Sequence, residues 1–303
     1  MTDASAILPV TPLRAAGYAV LSSIIFGCMF LPIGEVALAV PLAAVPLVWI
    51  VRRTPIANTA RAAFPWRVAL AVAGVLWVKW FVLHFWLLQV TVAGTPGLAA
   101  FCTFHDLLAL FLLVCCARVL PARTPWSLLL PLAFGAEEAF RAAVFFDGYP
   151  WFRWGHPLIE FPLLAQGADL IGEIFCSLLV LACAGAMVDA RDRARMRARS
   201  RAEDERETQL ERIRRVGVLS ITPGAVLFLL FLAFALLYGS WRLSQAPTEQ
   251  GPGVLLIQTN LPTSNKVGWA ARDQVRDIPA FAELTLRGAR DCIERAQPIA
   301  LVA

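Results

Sequence analysis

Seven apolar runs, most of them about twenty residues long, constrain the fold of this chain more than any other feature of its sequence. A helical run of that length matches the hydrocarbon thickness of a bilayer. The composition agrees, because 58% of the residues are hydrophobic and 16% are charged, against roughly a quarter charged in soluble domains. The pattern predicts a polytopic α-helical membrane protein, with about seven transmembrane helices inside a bundle of residues 1–240, near 15–31, 35–51, 68–90, 98–117, 125–146, 168–188 and 216–238.

Arginines concentrate in alternate connections between these runs, and this predicts the topology. Basic residues favour cytoplasmic loops. Here they precede the first run and follow the second, fourth and sixth, at Arg14, Arg52, Arg53, Arg61, Arg67, Arg118, Arg123 and within 190–215. The N-terminus is therefore predicted to be cytoplasmic, and residues 241–303 extracytoplasmic, with 241–252 as a linker. The first two runs could instead form a re-entrant hairpin.

The charged segment 190–215 mixes both signs at helical spacing. That pattern is typical of a solvated helix with pairs four residues apart, or of an extension of the sixth span. Arginine-rich segments beside a membrane commonly set topology or contact anionic lipid. The net charge of +5 is therefore assigned to topology, and no nucleic acid is expected as a partner.

Residues 253–303 differ from the preceding sequence and predict the beginning of a soluble α/β domain. Residues 254–257 form a short apolar run that suits a buried strand. A helix is predicted to follow, with Asp277 as its N-cap and Pro279 in its first turn, and residues 299–303 form a second apolar run. This order predicts a parallel, right-handed β-α-β unit. One helix and two strands cannot bury a core, so the chain is expected to stop inside a domain.

A few ionisable residues lie within the predicted spans, where an unpaired charge is costly. Glu138 and Arg141 are one helical turn apart and can pair on one face. The pair could bind a lipid headgroup or support an active site, or it could only stabilise the bundle. Lys79 is predicted to form a structural ion pair with a buried acid, with phosphate binding as the alternative.

The remaining polar residues of the spans give weaker signals. His84, His105 and Asp106 could form a metal site or proton relay, but they lack the paired spacing of a metal motif. Asp169 and Glu173 are four residues apart near the outer end of the sixth run and could be solvated. The cysteines lie almost entirely in apolar segments and are expected to act as small hydrophobes. No cofactor and no metal are expected.

A loop rich in tryptophan and tyrosine, residues 147–155, follows the fifth run. It is typical of an aromatic belt at a membrane interface, and that interpretation is compatible with a role in lipid entry.

Four motifs follow one another along the chain. They are an E-x-x-R helix end at Glu138 and Arg141, a G-Y-P-W loop at Gly148–Trp151 that closes at Gly155, a Q-x-A-D-x-x-G helix start at Gln166–Gly172, and Ile257–Pro262 followed by Lys266 and Trp269. In this order they resemble the motifs of bacterial apolipoprotein N-acyltransferases. In the family, the equivalents of Lys266 and Trp269 are usually adjacent, whereas two residues separate them here. The resemblance covers nearly the whole chain.

The resemblance implies a nitrilase-like α-β-β-α catalytic domain above the bundle, in the bacterial inner membrane. It implies transfer of an acyl chain from a phospholipid to the N-terminal diacylglyceryl-cysteine of a lipoprotein through a Cys thioester, with membrane lipids as the surroundings. The family's catalytic Glu, Lys and Cys are expected beyond residue 303, so no catalytic residue is assigned and the chain alone is expected to be inactive. The resemblance implies substrate-binding roles for Trp269, Glu138, Arg141, Tyr149, Pro150 and Trp151.

Two other functions remain open on the sequence. A membrane-tethered nitrilase-like amidase of different specificity would share the catalytic residues but would not need the lipid-facing loop. A non-catalytic membrane protein, such as a transporter or scaffold, would need neither.

Overall fold

The computed structural model describes residues 10–30, 34–53, 65–144, 148–203, 222–245, 254–258, 260, 269–295 and 301–302. Within these ranges the chain is mostly helical, as the apolar runs predict.

The α-helices are numbered here in chain order. They are α1 (Pro12–Cys28), α2 (Pro41–Arg53), α3 (Trp66–Leu83), α4 (Gly94–Val119), α5 (Trp126–Leu130), α6 (Ala136–Ala143), α7 (Pro162–Ala165), α8 (Ala168–Ile171), α9 (Ile174–Glu203), α10 (Pro223–Ser244) and α11 (Ala271–Glu294). A π turn at Pro131–Gly135 joins α5 to α6, and short 3-10 helices occupy Gly34–Ala39, Phe85–Gln89 and His156–Glu160.

Four of these helices are long and apolar enough to cross a membrane, among the residues described. They are α3, α4, the Ile174–Ala198 part of α9, and α10. Two shorter apolar helices, Pro12–Cys28 and Ala37–Arg52, match the first two predicted runs. The fifth run corresponds to the consecutive pieces α5, π turn and α6. The helical membrane protein is thus confirmed, while the number seven stays a prediction.

The sixth run begins later than predicted and continues further. Gly172 has a φ of +79°, a left-handed conformation that ends α8. The long helix α9 therefore begins at Ile174, and it continues to Glu203. Of the two predictions for the charged segment, the described part, up to Glu203, follows the extension of the span.

Residues 1–83 and 98–245 form one compact unit, in which α9 is the central helix. It packs against α5, α2 and α10, while α1 packs against α2 and α3. Of the four candidate spans, α9 is the most buried and α10 the least. Exposed Leu229, Leu230 and Leu237 give α10 an apolar outer surface, as expected of a lipid-facing helix.

Small residues on α9 explain this close packing. A Cβ atom at Gly185 would lie 2.2 Å from the carbonyl oxygen of Trp126 on α5. Ala182, Ala184 and Ala186 on the same helix are also buried. Small side chains let helix backbones approach closely, which is how helices associate inside a membrane.

Residues 84–97 and 246–303 form the second compact unit. Strand β1 (Val254–Leu255) pairs in parallel with β2 (Leu301–Val302), with Val254 opposite Leu301 and Leu255 opposite Val302. The helix α11 lies between them in sequence. Strand β1 is shorter than the predicted apolar run 254–257, and residues 299, 300 and 303 of the second run lie outside the described part of the chain.

The predicted beginning of α11 is wrong. The helix begins at Ala271 with Ala270 as its N-cap. The backbone amides of Asp273 and Gln274 both donate to the Ala270 carbonyl oxygen, which closes the first turn. Asp277 and Pro279 therefore lie inside the helix. Pro279 removes one backbone hydrogen bond, and the helix continues through it to Glu294.

Candidate functional site

Helix α6 brings three charged side chains, Glu137, Glu138 and Arg141, into the interior of the first unit, each at most 4% exposed. Buried charges are stable only when they are paired and hydrogen-bonded. The partners of these three residues therefore show which segments they stabilise.

Arg141 holds the aromatic loop that follows α6. Its Nη1 atom donates to the carbonyl oxygens of Tyr149, at 3.1 Å, and Trp151, at 2.9 Å. The Tyr149 amide in turn donates to the Arg141 carbonyl oxygen at 2.9 Å. Between them, Gly148 has a φ of +97°, and a Cβ there would lie 1.9 Å from the carbonyl oxygen of Ala142. Glycine is thus required for the loop to turn back onto its own helix.

Glu138 holds the far side of the same loop, because its Oε1 accepts a hydrogen bond from the Trp154 amide at 2.6 Å. The predicted Glu138–Arg141 ion pair is therefore wrong. The carboxylate that pairs with Arg141 is Glu137, whose Oε1 lies 3.3 Å from Nε. The two are four residues apart, a spacing that also brings side chains together on a helix, and this leaves Glu138 to bind the loop backbone.

Glu137 also pairs with a histidine from another helix. The Nδ1 atom of His105, on α4, lies 2.8 Å from Glu137 Oε1, and both side chains are buried. The neighbouring Asp106 pairs instead with Lys79 of α3, at 2.5 Å. This confirms the predicted structural ion pair of Lys79. It also shows that His105 and Asp106, two of the three residues of the proposed relay, pair with different partners.

No group of three or more metal-ligating side chains occurs among the residues that the structure describes. The hypothesis of a metal site at His84, His105 and Asp106 thus gains no support. His84 belongs to the second unit and is buried.

The aromatic loop divides into outward-facing and inward-facing residues. Pro150 is exposed, and Trp151 is 62% exposed. Tyr149 is half-buried, and burial raises the pKa of its phenol, so that it stays neutral. Trp154 is buried and contacts the rings of Phe26 and Phe134. A largely exposed indole thus lies next to a loop backbone fixed at three points.

A second polar cluster, which was not predicted from the sequence, continues this loop at the N-terminal end of α9. Glu173 Oε1 lies 2.7 Å from Arg153 Nη1, and Oε2 lies 2.6 Å from His156 Nε2. The Ser177 hydroxyl accepts a hydrogen bond from the Gly155 amide at 2.9 Å. Arg153 lies within the loop motif and His156 directly follows it, but only the fold shows that Glu173 is their partner.

Asp169 is not simply solvated. Its Oδ1 accepts from the Tyr238 hydroxyl at 2.7 Å, and its Oδ2 accepts from Arg242 Nε at 2.8 Å. Both partners lie on α10, so this carboxylate ties α8 to the last helix of the first unit.

Trp269 lies in the second unit. Its indole Nε1 donates to Asp277 Oδ2 at 3.2 Å, and its ring lies 6.3 Å from that of Phe281. Of the six residues predicted to bind substrate, Glu138, Arg141, Tyr149, Pro150 and Trp151 therefore occur on α6 and the loop after it, and Trp269 occurs apart from them in the chain.

The sequence matches a known protein family. The model of a family described as the apolipoprotein N-acyltransferase N-terminal domain matches residues 22–186, more than half of the 303 residues. The matched region includes α6, the aromatic loop and the first part of α9. A search of the curated proteins finds no match.

Proposed function

Because the chain belongs to the apolipoprotein N-acyltransferase family, we propose that it takes part in the transfer of an acyl chain from a phospholipid to the N-terminal diacylglyceryl-cysteine of lipoproteins. The family match over residues 22–186 carries this proposal. Both proposed substrates are anchored in a membrane, which agrees with an active domain built on a bundle of apolar helices.

The loop after α6 is the proposed lipid contact of the bundle. Pro150 and Trp151 are exposed, and an indole next to a bilayer can lie at the level of the headgroups. Glu138 and Arg141 are buried and bonded to the loop backbone. We therefore assign them to holding the loop and assign the substrate contact to Tyr149, Pro150 and Trp151.

Residues 253–303 are proposed to be the beginning of a nitrilase-like domain, and the parallel pairing of β1 with β2 supports this. By resemblance, a Cys thiolate of that domain would take the acyl chain as a thioester with a Glu as general base, and a Lys would stabilise the oxyanion. Trp269 is proposed to contact lipid. Cys292 lies on α11 and not after a strand, so we do not assign it as the nucleophile.

The proposed topology has a cytoplasmic N-terminus and an extracytoplasmic second domain in the inner membrane, which would place the aromatic loop on the outer side. The distribution of arginines supports it.

Conditional depletion of the gene tests the function. We expect the N-terminal peptides of lipoproteins to lose the mass of one acyl chain and to expose a free α-amine, as measured by mass spectrometry, and an intact copy of the gene should restore them. Lipoproteins that stay fully acylated under depletion would contradict the proposal and favour an amidase of other specificity or a non-catalytic role.

A further inference from the structure

The loop after α6 contains one residue in a conformation that its side chain does not favour. Phe152 has a φ of +55°, and a bulky residue in the left-handed region is an outlier. Such a residue persists only where its surroundings determine its conformation. Its neighbour Trp151 is the most exposed aromatic residue of the loop, so whatever holds Phe152 inward also sets the direction of Trp151.

Two aromatic rings hold Phe152 in place. The ring of Phe30 packs edge-to-face against it with centroids 4.9 Å apart, and the ring of Trp80 does so at 5.9 Å. Phe26 lies between Trp80, at 6.2 Å, and the loop residue Trp154, at 5.0 Å. The inner side of the loop therefore packs against the bundle through an aromatic cluster, which consists of Phe26, Phe30, Trp80, Phe152 and Trp154.

Within this cluster, Trp80 also makes a hydrogen bond to a charged side chain. Its indole Nε1 donates to Asp106 Oδ2 at 2.6 Å, and the same oxygen accepts from Lys79 Nζ at 2.5 Å. The Lys79 ammonium also lies 4.2 Å from the centre of the Trp80 ring. Trp80 is 2% exposed, so removing this acceptor would take a hydrogen bond from a buried indole N–H, which is unfavourable.

The ion pair of Lys79 and Asp106 also lies near the loop at a second place. A small cavity in the first unit is lined by Lys79 and Asp106 together with Phe26 and Trp154. Asp106 is thus connected to the loop in two ways. Its carboxylate accepts from the Trp80 indole, whose ring packs against Phe152, and it lines the same cavity as Phe26 and Trp154.

We propose that Asp106 is a positioning residue for the aromatic loop. It fixes the Trp80 indole, Trp80 with Phe30 holds Phe152 inward, and Trp151 is thereby turned outward to the lipid. Lys79 has the subsidiary role of pairing with this carboxylate inside the bundle. This rests on the proposed function only in giving Trp151 a lipid to contact.

Two double variants of the full chain separate positioning from stability. Lys79→Met with Asp106→Leu removes both charges and the acceptor, and Lys79→Met with Asp106→Asn removes both charges but keeps an amide oxygen for the indole. Replacing a buried ion pair by apolar groups is often close to neutral for stability, so both are expected to fold. Asp189→Asn, which changes a carboxylate on α9 that has no contact with the cluster among those described, is the control.

The first measurement is hydrogen exchange in nanodiscs at the hydrogen-bonded amides of Tyr149, Trp154 and Gly155. We expect exchange to rise about fivefold in the leucine double variant, from the loss of one net hydrogen bond, and to stay near the wild-type rate in the asparagine double variant and in Asp189→Asn. Equal exchange in the two double variants would overturn the proposal. Trp80→Phe, which keeps an aromatic ring at this position and removes the indole N–H, should reproduce the leucine result.

The second measurement is fluorescence quenching by phosphatidylcholine brominated near the headgroup, taken as the difference between each protein and its Trp151→Phe derivative. We expect this difference to decrease in the leucine double variant and to persist in the asparagine one. A wild-type chain without a Trp151-specific difference would refute the lipid contact of the proposed function, while the exchange rates would still decide the role of Asp106.

Discussion

The two ends of the bundle use polar side chains for different purposes. Near the N-terminal end of α9, Ser177 on that helix and Glu138 and Arg141 on α6 bind the backbone of a loop. At the other end of the bundle, Asp189, which lies midway along α9, accepts from the Trp126 and Ser127 amides at 3.0 and 3.2 Å and thereby caps α5. Asp192 pairs with Arg52 of α2 through both carboxylate oxygens.

This difference indicates which end of the bundle exposes a loop for binding and which end only joins helices. At the end of the bundle that contains Asp189 and Asp192, every partner named is a helix, so the bonds set how helices pack, and we call it the helix-joining end. At the N-terminal end the bonds hold an irregular segment with an exposed Trp151, and we call it the loop-holding end. Changes at the loop-holding end should therefore affect function and stability together, and changes at the helix-joining end mainly stability.

The largest effect is expected from Arg141→Met. It leaves Glu137 without the guanidinium that pairs with it and removes the donor to two carbonyl oxygens. Breaking a buried pair from one side costs about 3–5 kcal/mol. Unfolding in detergent should show a loss of that order, and lipoprotein acylation should fall with it. Unchanged stability would mean that the loop does not depend on this clamp.

A matched pair of glycines compares the two ends directly. Gly148→Ala adds a Cβ 1.9 Å from a backbone oxygen at a φ of +97°, whereas Gly224→Ala adds one 2.0 Å from the Asp189 Oδ2 atom of a side chain. We expect a cost of about 2–3 kcal/mol for Gly148→Ala and about 1–2 kcal/mol for Gly224→Ala, where the side chain can shift. Thermal unfolding of both variants measures the order, and the reverse order would refute the assignment of strain to the loop.

Asp189→Asn tests the helix-joining end alone. The amide keeps one acceptor for the α5 amides and loses the charge that favours a helix N-terminus. A cost of about 1 kcal/mol is expected, without faster hydrogen exchange in residues 148–155. Exchange that rises in the loop as much as in α5 would show that the two ends are not separate.

The smallest effect on stability is expected from Trp151→Ala. Because Trp151 is 62% exposed, its loss should change the free energy of unfolding by no more than about 0.5 kcal/mol. Lipoprotein acylation should nevertheless fall, if this indole contacts the lipid. Full acylation with Trp151→Ala, measured by the mass of lipoprotein N-terminal peptides, would remove Trp151 from the proposed site. Val119→Ala, another exposed apolar residue, is the control.

The apolar runs predict the helices because the period and length of a span are local properties. Their ends depend on single residues, as when the left-handed Gly172 separates α8 from α9. Lys79 was predicted to be paired, since a charge inside a span needs a partner, but its partner lies on another helix and could not be read from spacing. The spacing of Glu138 and Arg141 allowed a pair that the loop backbone and Glu137 prevent.

Other features of the site have no local signal. Phenylalanine does not favour a positive φ, so the conformation of Phe152 follows only from the rings packed around it. The beginning of α11 was misplaced because Asp277 and Pro279 are common at helix beginnings, and here Asp277 accepts instead from the indole of Trp269. In both cases a contact with another part of the structure outweighs a preference of the local sequence.

The continuity of α9 from Ile174 to Glu203 has a mechanical consequence. At 1.5 Å per residue it is a rod of about 45 Å, and it joins both ends of the bundle without a break. One residue inserted between Ser177 and Asp189 would turn one end relative to the other by about 100°. A helix with that insertion could not keep both the hydrogen bond from the Gly155 amide to Ser177 and the cap of α5 by Asp189. The number of residues between Ser177 and Asp189 therefore fixes the rotation of one end of the bundle relative to the other.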